Sequence, residues 1–167
     1  MKKIIYTLLF LVISTLGFAQ TENAKEFYNV GNLKLDARQY KEAIKDYDKA
    51  IELNKSFAEA FYNRGLAKNY LNDYKGAIED YTKSLELDST NIQALNNRGL
   101  AKKALDDFDG ALEDYTKAIK LNESFATAYF NRGSVKVLME ENGCEDFKKA
   151  LDLGNYKAME YIDKYCK

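Results

Sequence analysis

The sequence contains no histidine, no proline and no tryptophan, and only two cysteines. Without histidine, neither a Ser–His–Asp triad nor a histidine-containing zinc site can form. Cys144 and Cys166 are too few for a disulfide framework or a four-cysteine metal site. A surplus of positive charge is missing too: 25 lysines and arginines face 26 acidic residues, for a net charge of −1. Such a balance lacks the basic patch that nucleic-acid binding needs. Local catalytic signatures are absent. Glu79–Asp80 and Glu113–Asp114 look like acid pairs, but they recur in step with a repeat, as structural residues do. The expectation is a chain that is not an enzyme and takes no metal and no cofactor.

What is present begins with MKKIIYTLLFLVISTLGFA, residues 1–19. Two lysines precede an uncharged apolar run, and Gly17 and Ala19 have the small-residue spacing of a signal peptidase site. The run from Ile4 to Phe18 is shorter than the ~20 residues that span a bilayer. We therefore expect a signal peptide cleaved after Ala19, with an uncleaved anchor as the alternative. The product would be exported, periplasmic or secreted, with no membrane span after cleavage. Residues 20–23 read as a polar lead-in.

Beyond it the chain repeats. FYNRGLAKNYLNDYKGAIEDYTKSLELD, from Phe61, returns as LNNRGLAKKALDDFDGALEDYTKAIKLN, from Leu95. Asn63 recurs as Asn97 and Asn131 at a step of 34 residues. A period in this range marks a solenoid built from stacked supersecondary units. Within each unit the apolar residues keep helical spacing. Phe61 and Gly65 mark a first helix, and Tyr74, Ala77, Tyr81, Ser84 and Leu87 a second. Ser56 with Glu59, and Thr90 with Gln93, have the spacing of capping boxes. Asp73 and Asp107 are suited to cap the second helices. The fourth unit is two residues shorter between Gly133 and Gly143, which places a shortened turn near Glu140–Asn142. Gly154–Asn155 ends its second helix, and Tyr156–Tyr165 reads as a last, partly polar helix of the kind that closes a solenoid.

These features resemble the tetratricopeptide repeat (TPR) family, whose pattern of large residue, Gly, Ala and aromatic is met by Phe61, Gly65, Ala77 and Tyr81, and by Leu95, Gly99, Ala111 and Tyr115. The resemblance covers roughly Ala24 to Leu153 and implies an all-α solenoid of four TPR-like helix pairs plus a capping helix. The pairs are 24–57, 58–91, 92–125 and 126–155, and the cap is 156–167. Where the family has a tyrosine three residues after the glycine, this chain has Lys34, Lys68, Lys102 and Lys136. Their stems can pack while their heads reach water.

In this family the first helices line a concave groove. The resemblance maps that face onto Tyr28, Asn29, Asn32, Tyr62, Asn63, Leu66, Asn96, Asn97, Leu100, Phe130 and Asn131. It implies a protein- or peptide-binding scaffold, the partner being a protein or an extended, mainly uncharged peptide segment. The alternative is a structural subunit of a cell-envelope or secretion assembly, docking through the convex face or cap. Some family members grip the C-terminal carboxylate of chaperone peptides with asparagines and basic residues. Here the basic slots fall on Tyr28, Gln93 and Asn97, which excludes that activity. For the asparagines the competing reading is bonding within the repeat stack.

Two further expectations come from spacing. Arg64, Arg98 and Arg132 each lie eighteen residues after Asp46, Asp80 and Asp114, and the first unit has Val30 in the arginine slot. We expect ion pairs between consecutive repeats; solvated or ligand-binding arginines are the alternative. Cys144 begins one helix and Cys166 ends the next, on either side of the Gly154–Asn155 turn. A disulfide is expected in an exported chain, against the alternative of two reduced thiols.

Overall fold

The computed structural model describes residues 22–167. The expected signal peptide and its cleavage site, like the first residues of the lead-in, lie outside the described residues. Glu22 and Asn23, expected in that lead-in, are already helical. The described residues form nine helices: α1 (22–36), α2 (Tyr40–Leu53), α3 (Ala58–Tyr70), α4 (Tyr74–Leu87), α5 (Ile92–Ala104), α6 (Phe108–Leu121), α7 (Ala126–Leu138), α8 (Cys144–Asp152) and α9 (Lys157–Tyr165). From α2 onward each helix packs on the next. The first helices of neighbouring pairs also touch, α3 on α5 and α5 on α7. The fold is an all-α solenoid of four helix pairs and a capping helix.

One contact sets the register of every pair. Tyr47, Tyr81, Tyr115 and Phe147 are fully buried, and each ring lies against the glycine of its own first helix. A Cβ at Gly65 would fall 2.8 Å from the Tyr81 ring, and one at Gly99 2.7 Å from Tyr115. No side chain larger than hydrogen fits there without displacing a core aromatic. The glycine and its aromatic are sixteen residues apart in the first three pairs and fourteen in the last.

The helix ends differ from expectation. Asp73 and Asp107 do cap, accepting the backbone N–H of Gly76 and Gly110. Ser56 and Thr90 do not form capping boxes. They lie two residues ahead of α3 and α5, too early for their hydroxyls to reach the first free helical N–H groups. Asn54, Asp88 and Asn122 fold the linkers instead, each side chain accepting the N–H of the residue two further on, at Ser56, Thr90 and Ser124. The Thr90 hydroxyl and N–H together hold the Asp88 carboxyl below its ordinary range. Asn91 caps α5 by accepting the N–H of Ala94.

The first helices of all four pairs end in one way. Arg38, Asn72, Asp106 and Glu140 hold φ near +60°. The N–H groups that come after them, at Gln39, Asp73, Asp107 and Glu141, close back onto the carbonyls of Lys34, Lys68, Lys102 and Lys136. This is the Schellman termination, built on residues other than glycine. The fourth pair also departs from the shortened turn expected of it. Its linker runs over five residues, 139–143, against three in 71–73 and 105–107. The deletion falls on α8, which has 9 residues where α4 and α6 have 14. The second helix loses its first turn, and the loop lengthens to reach what remains.

Candidate functional site

Two polar networks run along the solenoid. The first sits between first and second helices and centres on buried aspartates. Arg64 donates Nε and Nη2 to both oxygens of Asp80, at 2.9 and 2.6 Å. Arg98 does the same to Asp114 at 2.9 and 2.6 Å, and Arg132 to Asp146 at 3.1 and 2.6 Å. The expected pairs Asp46–Arg64, Asp80–Arg98 and Asp114–Arg132 are therefore corrected: each arginine grips the aspartate of its own pair. The reason is the register already described. A first-helix residue faces the second-helix residue sixteen positions on, as Gly65 faces Tyr81, so Arg64 faces Asp80.

The remaining arginine nitrogen crosses the boundary. Nη1 of Arg64 meets Asp48 at 2.6 Å, Nη1 of Arg98 meets Thr82 Oγ1 at 3.0 Å, and Nη1 of Arg132 meets Thr116 Oγ1 at 3.2 Å. Each guanidinium thus ties two repeats, through residues that spacing alone did not single out.

The lysines complete this network. Lys68 reaches Asp80 at 2.8 Å, Lys102 reaches Asp114 at 2.9 Å and Lys136 reaches Asp146 at 2.7 Å; Lys34 pairs with Asp46. Their heads turn inward, not to water as expected. With two cations on each of Asp80, Asp114 and Asp146, the desolvation cost is offset by charge-assisted bonds. Burial pushes the Asp146 carboxyl up, but Arg132 and Lys136 outweigh it and hold the group below its ordinary range. Lys34 also explains why Asp46 needs no arginine beside Val30.

The second network lies on the face expected to bind. Asn63 donates Nδ2 to Asn32 Oδ1 at 2.8 Å and to the Tyr28 hydroxyl at 3.1 Å. Asn97 donates to the Tyr62 hydroxyl at 3.0 Å, and Asn131 to Asn96 Oδ1 at 2.9 Å. Asn96 in turn donates to Asn97 Oδ1 at 3.3 Å. Every asparagine of the 34-residue series therefore commits its amide N–H to the preceding repeat. Among the described residues no group donates to the side-chain oxygen of Asn63.

This face divides into an open and a closed part. Asn29 is exposed, and Tyr28, Asn32, Tyr62, Asn63, Leu66, Asn97 and Leu100 are half-buried. Asn96 and Asn131 are buried. Phe130 meets Tyr161 of α9 edge-on, with ring centroids 4.9 Å apart, and also packs on Phe147. The expected groove residues of the fourth repeat are thus largely internal. Tyr28 is shared as well, tilted against Phe57 at 4.8 Å. A cavity of about 580 Å³ remains at this end, between Thr127 and Phe130 of α7 and the turn at Gly154–Tyr156.

In the same terminal unit, Cys144 and Cys166 are joined by a disulfide, with Cα atoms 5.6 Å apart. Among the described residues no cluster of potential ligands could hold a metal, and no helix is long and apolar enough to cross a membrane.

Known proteins share this architecture. A TPR repeat model matches residues 31–69, and a tetratricopeptide repeat model matches 58–91 and 92–125. No curated protein matches. Among solved structures, the TPR domain of Arabidopsis OM64 is 27% identical, with a TM-score of 0.69 over 71% of this chain and 98% of that one. MamA is 25% identical, with a TM-score of 0.78 over 87% of this chain and 86% of that one. The first TPR of Spaghetti (RPAP3), bound to the HSP90 peptide SRMEEVD, has a TM-score of 0.71 over 72% of this chain and 96% of that one; at 22% identity it shows the fold alone.

Proposed function

This chain belongs to the tetratricopeptide repeat family of protein-interaction scaffolds, and from that premise we propose that it binds an extended, mainly uncharged peptide segment along the face of its first helices. It does so without catalysis. The observation that carries this reading is the state of Asn63. Its amide nitrogen is fixed by Tyr28 and Asn32, and its carbonyl oxygen is left for an incoming N–H. Tyr62, Leu66 and Leu100 supply apolar contact beside it. The face carries no cation in the basic slots of the chaperone-binding relatives, since these hold Tyr28, Gln93 and Asn97. A peptide of the SRMEEVD kind is therefore not its ligand.

We further propose that the chain is exported: residues 1–19 have the pattern of a signal peptide, and a bond between Cys144 and Cys166 fits an oxidising compartment. A second reading, docking as a structural subunit through the convex face or the cap, is supported by exposed apolar side chains at the cap. Tyr156 is 76% exposed beside α9 and Met159 is 52% exposed on it.

One experiment separates the two. Protein recovered from the cell envelope, with Gln20 read as its N-terminus, is tested against arrays of charged and uncharged peptides. Peptide binding is expected to prefer the uncharged set and to weaken about tenfold in Asn63→Ala with Asn97→Ala, as loss of an anchor does. Unchanged affinity of the folded double variant moves the partner to the ends or the convex face. An N-terminus at Met1 refutes cleavage.

A further inference from the structure

The capping helix is held on differently from every other helix. Of α9 only Ala158 is fully buried; Tyr161 and Ile162 pack partly on Phe147 and Ala150. Among the described residues no ion pair and no hydrogen bond between two side chains joins α9 to another helix, whereas each repeat boundary has an arginine across it. A nine-residue helix is far below the length at which a helix stands alone in water. Beyond these apolar contacts it is tied by one covalent bond, from Cys166, just past its end, to Cys144, the first residue of α8.

That bond is reachable. Both cysteines keep solvent exposure, and a cavity of about 610 Å³ lies against them, lined by Glu140, Asn142, Lys148, Tyr165 and Lys167 among others. Cys144 stands at a helix N-terminus, where the backbone dipole stabilises a thiolate and so makes it the better leaving group.

We propose that Cys144–Cys166 is an exchangeable redox site, reduced in the folded protein by a dithiol, and that its reduction releases α9. A thiolate of the dithiol attacks Cys166 Sγ. A mixed disulfide forms and Cys144 leaves as the thiolate. The second thiol of the reductant then attacks its own sulfur in the mixed disulfide and displaces Cys166. The dithiol ends as its cyclic disulfide, and both cysteines end reduced, taking up the two protons that the dithiol gave up to the solvent. With the covalent tie gone, Ala158 and the half-buried Tyr161 and Ile162 do not hold the helix. Its departure bares Phe147 and Ala150 and uncovers the ring of Phe130. In every earlier repeat the matching surface is closed by the next first helix, which carries a tie of its own.

The test uses the full chain and dithiothreitol as the dithiol. Intact mass after iodoacetamide trapping should show two alkylated thiols while the circular dichroism of the solenoid persists. Hydrogen exchange across residues 158–166 should speed up about tenfold or more on reduction, with α1 to α6 unchanged. Cys144→Ser should show the fast exchange without reductant and no further response to it. The proposal is overturned if alkylation begins only where the whole protein unfolds. It is equally overturned if α9 keeps its oxidised-state protection after both thiols are free, or in Cys144→Ser.

Discussion

At the scale of single residues, the buried aspartates organise the molecule more than any surface group. Asp146 shows how acid should act on them. Its folded-state pKa is depressed by Arg132 and Lys136 against the opposing effect of burial. A depressed carboxyl stabilises the fold fully above its unfolded pKa, and that contribution is lost as pH falls through the folded value. Asp146→Asn should therefore cost about 2–3 kcal/mol near neutrality, less than a fully buried pair because both cations are partly solvated. The gap between the urea midpoints of wild type and variant should narrow as pH falls from about 5 towards 3, across the unfolded aspartate range. A gap that is constant with pH would mean that Asp146 is not ionised against those cations. These partners were only half legible. Lysines at 34, 68, 102 and 136 have stems that fit a solvated reading equally well. A sixteen-residue facing rule emerges only once the glycine and its aromatic are seen to touch.

At the scale of helices, the starts and stops carry the surprises. Asp73 and Asp107 announce themselves as caps because an acid ahead of an apolar stripe has one evident use. The four stops do not, because the left-handed position holds Arg38, Asn72, Asp106 and Glu140 where glycine is the usual occupant. A glycine at position 140 relieves the clash of Cβ with the backbone, worth about 1 kcal/mol. Since Glu140 is exposed and makes no side-chain hydrogen bond among the described residues, little is given up. Glu140→Gly should raise the melting temperature by a few degrees in differential scanning calorimetry, roughly the shift that such an energy brings in a chain of this size. Asn72→Gly should gain less, because asparagine tolerates that conformation better and its side chain already accepts the Tyr74 hydroxyl. The missing first turn of α8 was legible as a deletion but not in its location. Spacing shows that two residues are gone, and packing decides whether loop or helix surrenders them.

At the scale of the whole molecule, the solenoid was legible because its information is repeated. Gly65 and Gly99, Tyr81 and Tyr115 say the same thing a period apart. The binding face was less so, since asparagines at 63, 97 and 131 look alike in sequence but meet different neighbours. Among the described residues the Asn63 side-chain oxygen receives no donor and lies beside open groove, whereas Asn131 is sealed in against Asn96 and lies next to a ring covered by α9. A terminal repeat differs from its siblings because a capping helix, and not another repeat, packs against it. No residue within the repeat records that.

The polar ties along the stack have one more consequence, for how such a gene can grow. Asn97 reaches back only to Tyr62, and Arg98 only to Thr82. Every such bond thus spans a single boundary, and residues 58–91 hold both donors, Asn63 and Arg64, and receivers, Tyr62 and Thr82. A second copy of residues 58–91 spliced in after Asn91 brings its own arginine and asparagine to partners that the first copy already displays. Such an insertion should give a folded chain with two added helices by circular dichroism and a melting temperature no lower than the parent's, because stability in a stacked array sums over neighbours. Copying a length other than a whole period would part a guanidinium from its carboxylate. Duplication in whole units is then the easy route of descent, and the length of the face offered to a partner can be inherited in steps.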